Sequence, residues 1–192
     1  SYTVKSSEKL RKSGAETETK ALLYLMNFRS DSDDIHYFVV DFFNDLTGMN
    51  NMATRLWDVQ SKGNHNVGPK AIGRELVTLF KNYMSEFTFE TYILFVGSVS
   101  GALRKDPSLT VFGIENAKDT AVKLIKEGLV EEGNAKEYID NSSLTDTNID
   151  AFLKSIQFVI DDDKEPREYV RAIIKQHPNI VPEDKVLDAI FN

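Results

Sequence analysis

The stretch TYILFVGSV, residues 91–99, limits the fold more than any other part of the chain. It is a continuous apolar run of strand length, and a strand that is apolar toward both faces has to be covered on both. Elements able to supply that cover precede it. AETETKALLYLMNF carries Ala21, Leu22, Leu25 and Met26 at helical spacing, with Glu18 one turn before Leu22 on the same stripe. SDSDD, residues 30–34, is a loop signal, and IHYFVVDFF after it has the aromatic and β-branched content of a strand. NDLTGMNNMA either continues that strand or turns. TRLWDVQSKG is the next strand, an antiparallel partner for the first. GPKAIGRELVTLFKNYMSEF then places Ile72, Leu76, Leu79, Phe80 and Tyr83 on one helical face, behind a Gly-Pro start suited to a helix N-terminus.

This succession of helix, strand, strand, helix and strand predicts an α/β core with a mixed central sheet flanked by helices. Beyond Gly101 the pattern becomes mainly helical, with helices expected near 115–130, 147–156, 166–176 and 183–191 and a short strand at SIQFVID. EEGNAKEYIDNSSLTDT and DDDKEP are loop-like. The expected organisation is a core over 1–101 and a mainly helical C-terminal extension, 102–192, packed on it.

The chain has no cysteine, which removes disulfides, thiolate metal sites and thiol catalysis together. Any metal would be held by oxygen or imidazole. The net charge of -7 falls entirely on residues 76–192, while residues 1–75 are balanced. This argues against bulk attraction to a polyanion but constrains the partner only weakly, because polyanion contacts depend on a local patch. No apolar run reaches the length of a membrane span, and the start has no signal-peptide core, so a cytoplasmic protein is expected.

Alternation in LWDVQSK turns Asp58, Gln60 and Lys62 to one face of its strand and Trp57, Val59 and Ser61 to the other. An acid, an amide and an amine on one face suit phosphodiester hydrolysis. That reaction needs negative charge neutralised and a water deprotonated, and a hard cation held by carboxylates does both. Asp45, near the end of the preceding strand, and Glu18, from the first helix, would complete such a site. Asp41 is the alternative to Asp45, and Glu16 the alternative to Glu18. Asp58 shares that face and is either an additional ligand or, the favoured reading, a partner for Arg55 or another base.

Glu18 on a helix, Asp45 at a strand and turn, and Gln60-Ser61-Lys62 on the next strand resemble the PD-(D/E)xK nuclease superfamily. Glutamine stands in the acidic slot, and Asn44 occupies the position of the proline that names the motif. RKSGAETE resembles the basic, glycine-containing approach to the helical glutamate of archaeal Holliday-junction resolvases. The spacing and TYILFVGSVSG are more closely similar to the double-stranded DNA endonuclease domain of bacterial antiphage effectors linked to cyclic-oligonucleotide signalling, which also uses Gln-x-Lys. The resemblance spans roughly Ser13 to Gly101, and more faintly DAFLKSIQFVIDDD onward.

It implies a restriction-endonuclease-like core with Mg²⁺, replaceable by Mn²⁺, on Asp45 and Gln60 with help from Glu18. Lys62 would orient the water or stabilise the transition state. The implied substrate is double-stranded DNA, and the implied assembly a homodimer or a larger defence complex. The same fold kept as a weakly active or inactive binding module is the alternative.

Lys12, in the basic stretch with Lys5, Lys9 and Arg11, and Lys70 and Arg74, after Lys62, would contact DNA phosphates. His36, His65 and His177 are too dispersed for a metal or triad spacing, and only His65 lies near the expected site. Ser61 has no His/Asp partners for nucleophilic catalysis. GSVSG lacks the Lys-Ser/Thr ending of a phosphate loop, and DDDKE lacks the spacing and glycine of a calcium loop.

Overall fold

From Tyr92 to Val96 every residue of the apolar run is buried, and the run forms one of six strands. A computed structural model of the chain describes residues 12–161 and 166–176 together with Lys185, Asp188 and Ala189. The basic arm through Arg11, His177 and, apart from Lys185, Asp188 and Ala189, the helix expected over 183–191 lie outside the described residues. The strands are β1 (Tyr37–Val40), β2 (Leu46–Met49), β3 (Leu56–Lys62), β4 (Phe89–Val96), β5 (Val111–Gly113) and β6 (Ile156–Ile160). They form one sheet in the order β1-β2-β3-β4-β6-β5. β1, β2 and β3 make an antiparallel meander; β3, β4 and β6 run parallel; β5 closes the far edge antiparallel to β6.

Helices cover both faces, as an α/β fold requires. α1 (Lys12–Asn27) and α6 (Pro166–Gln176) lie on one side, where Ala21, Tyr24 and Leu25 pack on Trp57, Val59, Ile93 and Phe95, with Tyr169 of α6 beside them. On the other side α2 (Pro69–Glu75), α3 (Val77–Tyr83), α4 (Asp119–Ala135) and α5 (Asp146–Ser155) bury Ile72, Phe80, Ile125 and Phe152 against Tyr92, Leu94, Phe158 and Ile160. α2 and α4 touch backbone to backbone: a Cβ on Gly73 would stand 2.0 Å from the Ile125 carbonyl oxygen, and one on Gly128 2.0 Å from that of Lys70. Among the described residues no helix is long and apolar enough to cross a membrane.

Several expectations change. The first and second predicted strands are not neighbours, because LTGM forms β2 between them. The helix expected after Gly68 is two helices meeting at Leu76, whose N–H is shared between the Ile72 and Gly73 carbonyls at 3.2 Å each. Gly101 is no break in the sheet, since β6 pairs directly with β4 and carries β5 with it. A strand apolar toward both faces sits inside the sheet, where its backbone groups need a paired strand on each edge, and only later residues supply the second.

α1 also turns differently from its apolar spacing. Its buried stripe is Thr17, Lys20, Ala21, Tyr24 and Leu25, leaving Met26 and Glu18 exposed. Lys20 is tolerated inward because its ammonium meets the Asp161 carboxylate at 2.6 Å, where Tyr169 also donates a hydrogen bond.

Candidate active site

β2 begins at Leu46, paired with Val59, so β3 runs on through Gln60, Ser61 and Lys62 beyond its antiparallel neighbour. The Ser61 N–H on that side has lost its strand acceptor, and the Asp45 carboxylate replaces it. Asp45 Oδ2 accepts from the Ser61 N–H at 2.7 Å, from Ser61 Oγ at 2.8 Å and from Gln60 Nε2 at 3.0 Å. Among the described residues nothing donates to Oδ1. Asp45 is only partly buried, leaving this oxygen the charged group at the strand's end.

The polar face of β3 is roofed by the end of α2 and by α3 rather than open. Asn82 Nδ2 donates to Asp58 Oδ2 at 2.7 Å, Thr78 Oγ1 donates to Gln60 Oε1 at 3.1 Å, and Lys62 Nζ meets Glu75 Oε1 at 3.0 Å. Two residues of strand advance about 6.6–6.8 Å and three or four of helix about 4.5–6 Å, so an antiparallel helix keeps step with every second strand residue. Asp58 is fully buried and also accepts from Asn44 Nδ2 at 2.9 Å on each oxygen. Burial pushes its carboxyl up to about 6; the Asn82 and Asn44 amides oppose the shift, and the nearby Asp45 charge adds to it. Arg55 is no partner of Asp58, since it pairs with Asp34 and Glu90.

Of the sequence-predicted residues, Asp45 and Gln60 come together and Lys62 lies one step along the same face, held by Glu75. Asp41 is exposed, with a left-handed φ of 55°, and its N–H donates to the Asp45 carbonyl to close the turn. Glu18 is exposed on α1, which covers the Trp57–Val59 face, opposite to Gln60 and Lys62. α1 runs against β6, with Tyr24 donating to Gln157 and Lys20 beside Asp161, so its first half reaches the edge where β3 ends. Lys70 and Arg74 both pair with Glu131 of α4, at 2.6 and 2.7 Å. Lys12 opens α1, and its side chain lies outside the described residues. His65 is exposed in the loop after Lys62.

Asn44, Glu75, Thr78 and Asn82 were not anticipated. Three of them had a signal: positions 75, 78 and 82 form a polar stripe at helical spacing, interleaved with the apolar one.

A divalent cation would find a spare carboxylate oxygen on Asp45, but Gln60 turns its amide nitrogen toward that acid. Half a turn of the amide would present Oε1 instead, and the Thr78 hydroxyl can accept the displaced N–H as readily as it now donates. One carboxylate and one amide oxygen, completed by water and phosphate, suit Mg²⁺ chemically. Among the described residues no group of three or more His, Asp or Glu is placed to hold a metal. No family model, curated protein or solved structure matches the chain.

Proposed function

We propose that this chain is a Mg²⁺-dependent endonuclease with a restriction-endonuclease-like core that hydrolyses double-stranded DNA, acting in the cytoplasm in antiphage defence. The observation that carries the reading is the meeting of Asp45 and Gln60 at the free end of β3, with Lys62 next on the same face. A bound cation would neutralise phosphate charge and acidify a water molecule. Asp45 Oδ1 would be the anionic ligand, and the amide of Gln60, turned over, would add a neutral one. Lys62, partly exposed, exchanges Glu75 for the scissile phosphate and offsets charge developing there. Glu18, exposed on α1 at the opposite face of the sheet, would act as an outer acid only from around the edge where β3 ends. Cutting both strands of a duplex at once takes two such sites, so a homodimer or a place in a larger complex is the expected active form.

A second reading has its own support. Lys62 and Gln60 are already satisfied within the protein, as they would be in a fold kept for binding or assembly. Incubation with supercoiled plasmid and Mg²⁺ or Mn²⁺ separates the two. Nicking and linearisation by the wild type, lost in both Asp45→Asn and Lys62→Ala while melting temperatures hold, is the expected result. Absence of cutting across metals and protein concentrations favours the binding module.

A further inference from the structure

We propose that Asp58 is the positioning residue of this site: buried behind it, Asp58 grips Asn44 and thereby fixes the carboxylate of the next residue, Asp45, against the end of β3. The catalytic part of this inference rests on the nuclease reading; the mechanical part does not.

The segment from Asp41 to Asp45 joins β1 to β2 without strand pairing of its own, and one backbone bond, Asp41 N–H to the Asp45 carbonyl at 3.2 Å, closes it. Two side chains moor it on the α3 side of the sheet. Phe43 stacks edge-on against Phe87 and Phe89, each with ring centroids 5.0 Å away. Asn44 donates to both oxygens of Asp58 at 2.9 Å. Asp58 is itself immobilised, lying opposite Thr47 of β2 and Tyr92 of β4 in the register, with Asn82 of α3 donating at 2.7 Å. Thr78, one turn before Asn82, bonds Gln60, so α3 braces both the mooring and the metal-facing amide.

Asp58 Oδ2 takes donors from Asn44 and Asn82 together, and Oδ1 gives Asn44 a second acceptor. An asparagine at position 58 could keep its amide oxygen in the place of Oδ2, but its NH₂ would then face the Asn44 amide where the carboxylate now accepts. A fully buried carboxylate is costly in stability, and a fixed position for Asp45 is what its presence secures here.

The test follows the Ser61 amide, whose hydrogen bond to Asp45 Oδ2 reports where that carboxylate sits. Amide hydrogen exchange by NMR is measured in wild type, in Asp58→Asn, and in the exchanged pair Asn44→Asp with Asp58→Asn, which reverses donor and acceptor. Central β4 amides serve as the global reference. In Asp58→Asn the Ser61 amide should exchange roughly tenfold faster than the reference change accounts for, and the exchanged pair should restore its protection. Plasmid cutting should fall through kcat rather than KM and recover in the same pair. If Asp58→Asn does not fold, Asn44→Ala, in the turn, carries the same expectation for Ser61.

Ser61 protection that is unchanged, or that falls only in step with β4, overturns the proposal even where the wild type cuts DNA. A Ser61 response in a protein that cuts nothing upholds the positioning and removes the nuclease reading instead.

Discussion

The two faces of β3 use the same seven residues in opposite ways. Toward α1, Trp57 and Val59 sit in an apolar layer with Ala21, Leu25 and Phe95. Toward α2 and α3, Asp58, Gln60 and Lys62 each meet a polar partner. The first face is stabilised by area removed from water, which tolerates small displacements. The second is a chain of directional contacts that includes a buried charge, where position matters more than area. Stability resides mainly on one side of the strand and placement of the site on the other.

The contrast is broken most forcefully from the apolar side. Trp57→Ala should destabilise by about 3–5 kcal/mol in chemical denaturation. Trp57→Phe should retain most of that, losing chiefly the indole N–H bond to Asp31. The polar side shows itself through pH. The Asp58 carboxyl titrates at about 6 when folded against 3.8 unfolded, so the native state holds the extra proton between those values. The stability that Asp58 contributes should therefore be fully present below pH 3.8 and lost as pH rises through 6, about 3 kcal/mol in all and about 2 kcal/mol of it between pH 4.5 and 7.5. Urea melts at pH 4.5 and 7.5 measure this slope, which should vanish in Asp58→Asn. Asp31 shifts the opposite way, downward, so its titration falls at the acid end and leaves that window clear.

A smaller effect tests the layer that carries the roof over the polar face. Gly128→Ala forces a methyl group onto the Lys70 carbonyl and should cost about 1–3 kcal/mol in thermal or chemical melts. Smallest is Glu75→Gln. It releases Lys62 from a partly exposed pair, so stability should change by no more than about 1 kcal/mol. The same variant should raise plasmid cutting if the pair competes with phosphate for Lys62.

Much of this was legible. The alternation in LWDVQSK assigned each residue to its side of β3, and the apolar run of β4 demanded cover on both faces. Periodicity could not tell that the polar face was roofed, because a helix covering polar groups has an apolar stripe too. β2 escaped notice because LTGM is short and contains a glycine. Its presence has a packing reason: a Cβ at Gly48 would stand 3.0 Å from both Leu25 and Ile35. Lys20 escaped because its neutralising partner, Asp161, is far along the chain. Of the expected site, the pairing of Asp45 with Gln60 followed from strand and turn, whereas Asn44 and Asp58 meet through tertiary contact alone.

The insertion of β6 between β4 and β5 has a consequence for synthesis. The nascent chain emits its most apolar strand well before the segment that pairs with the strand's second side, since α4 and α5 must leave the ribosome first. During that interval β4 presents an open ladder of backbone donors and acceptors beside Ile93, Leu94, Phe95 and Val96, a template for association with other chains. A polypeptide stopped at Gly101 would remain in that condition, so trimming the protein to its first half should yield an aggregating fragment rather than a minimal folded core.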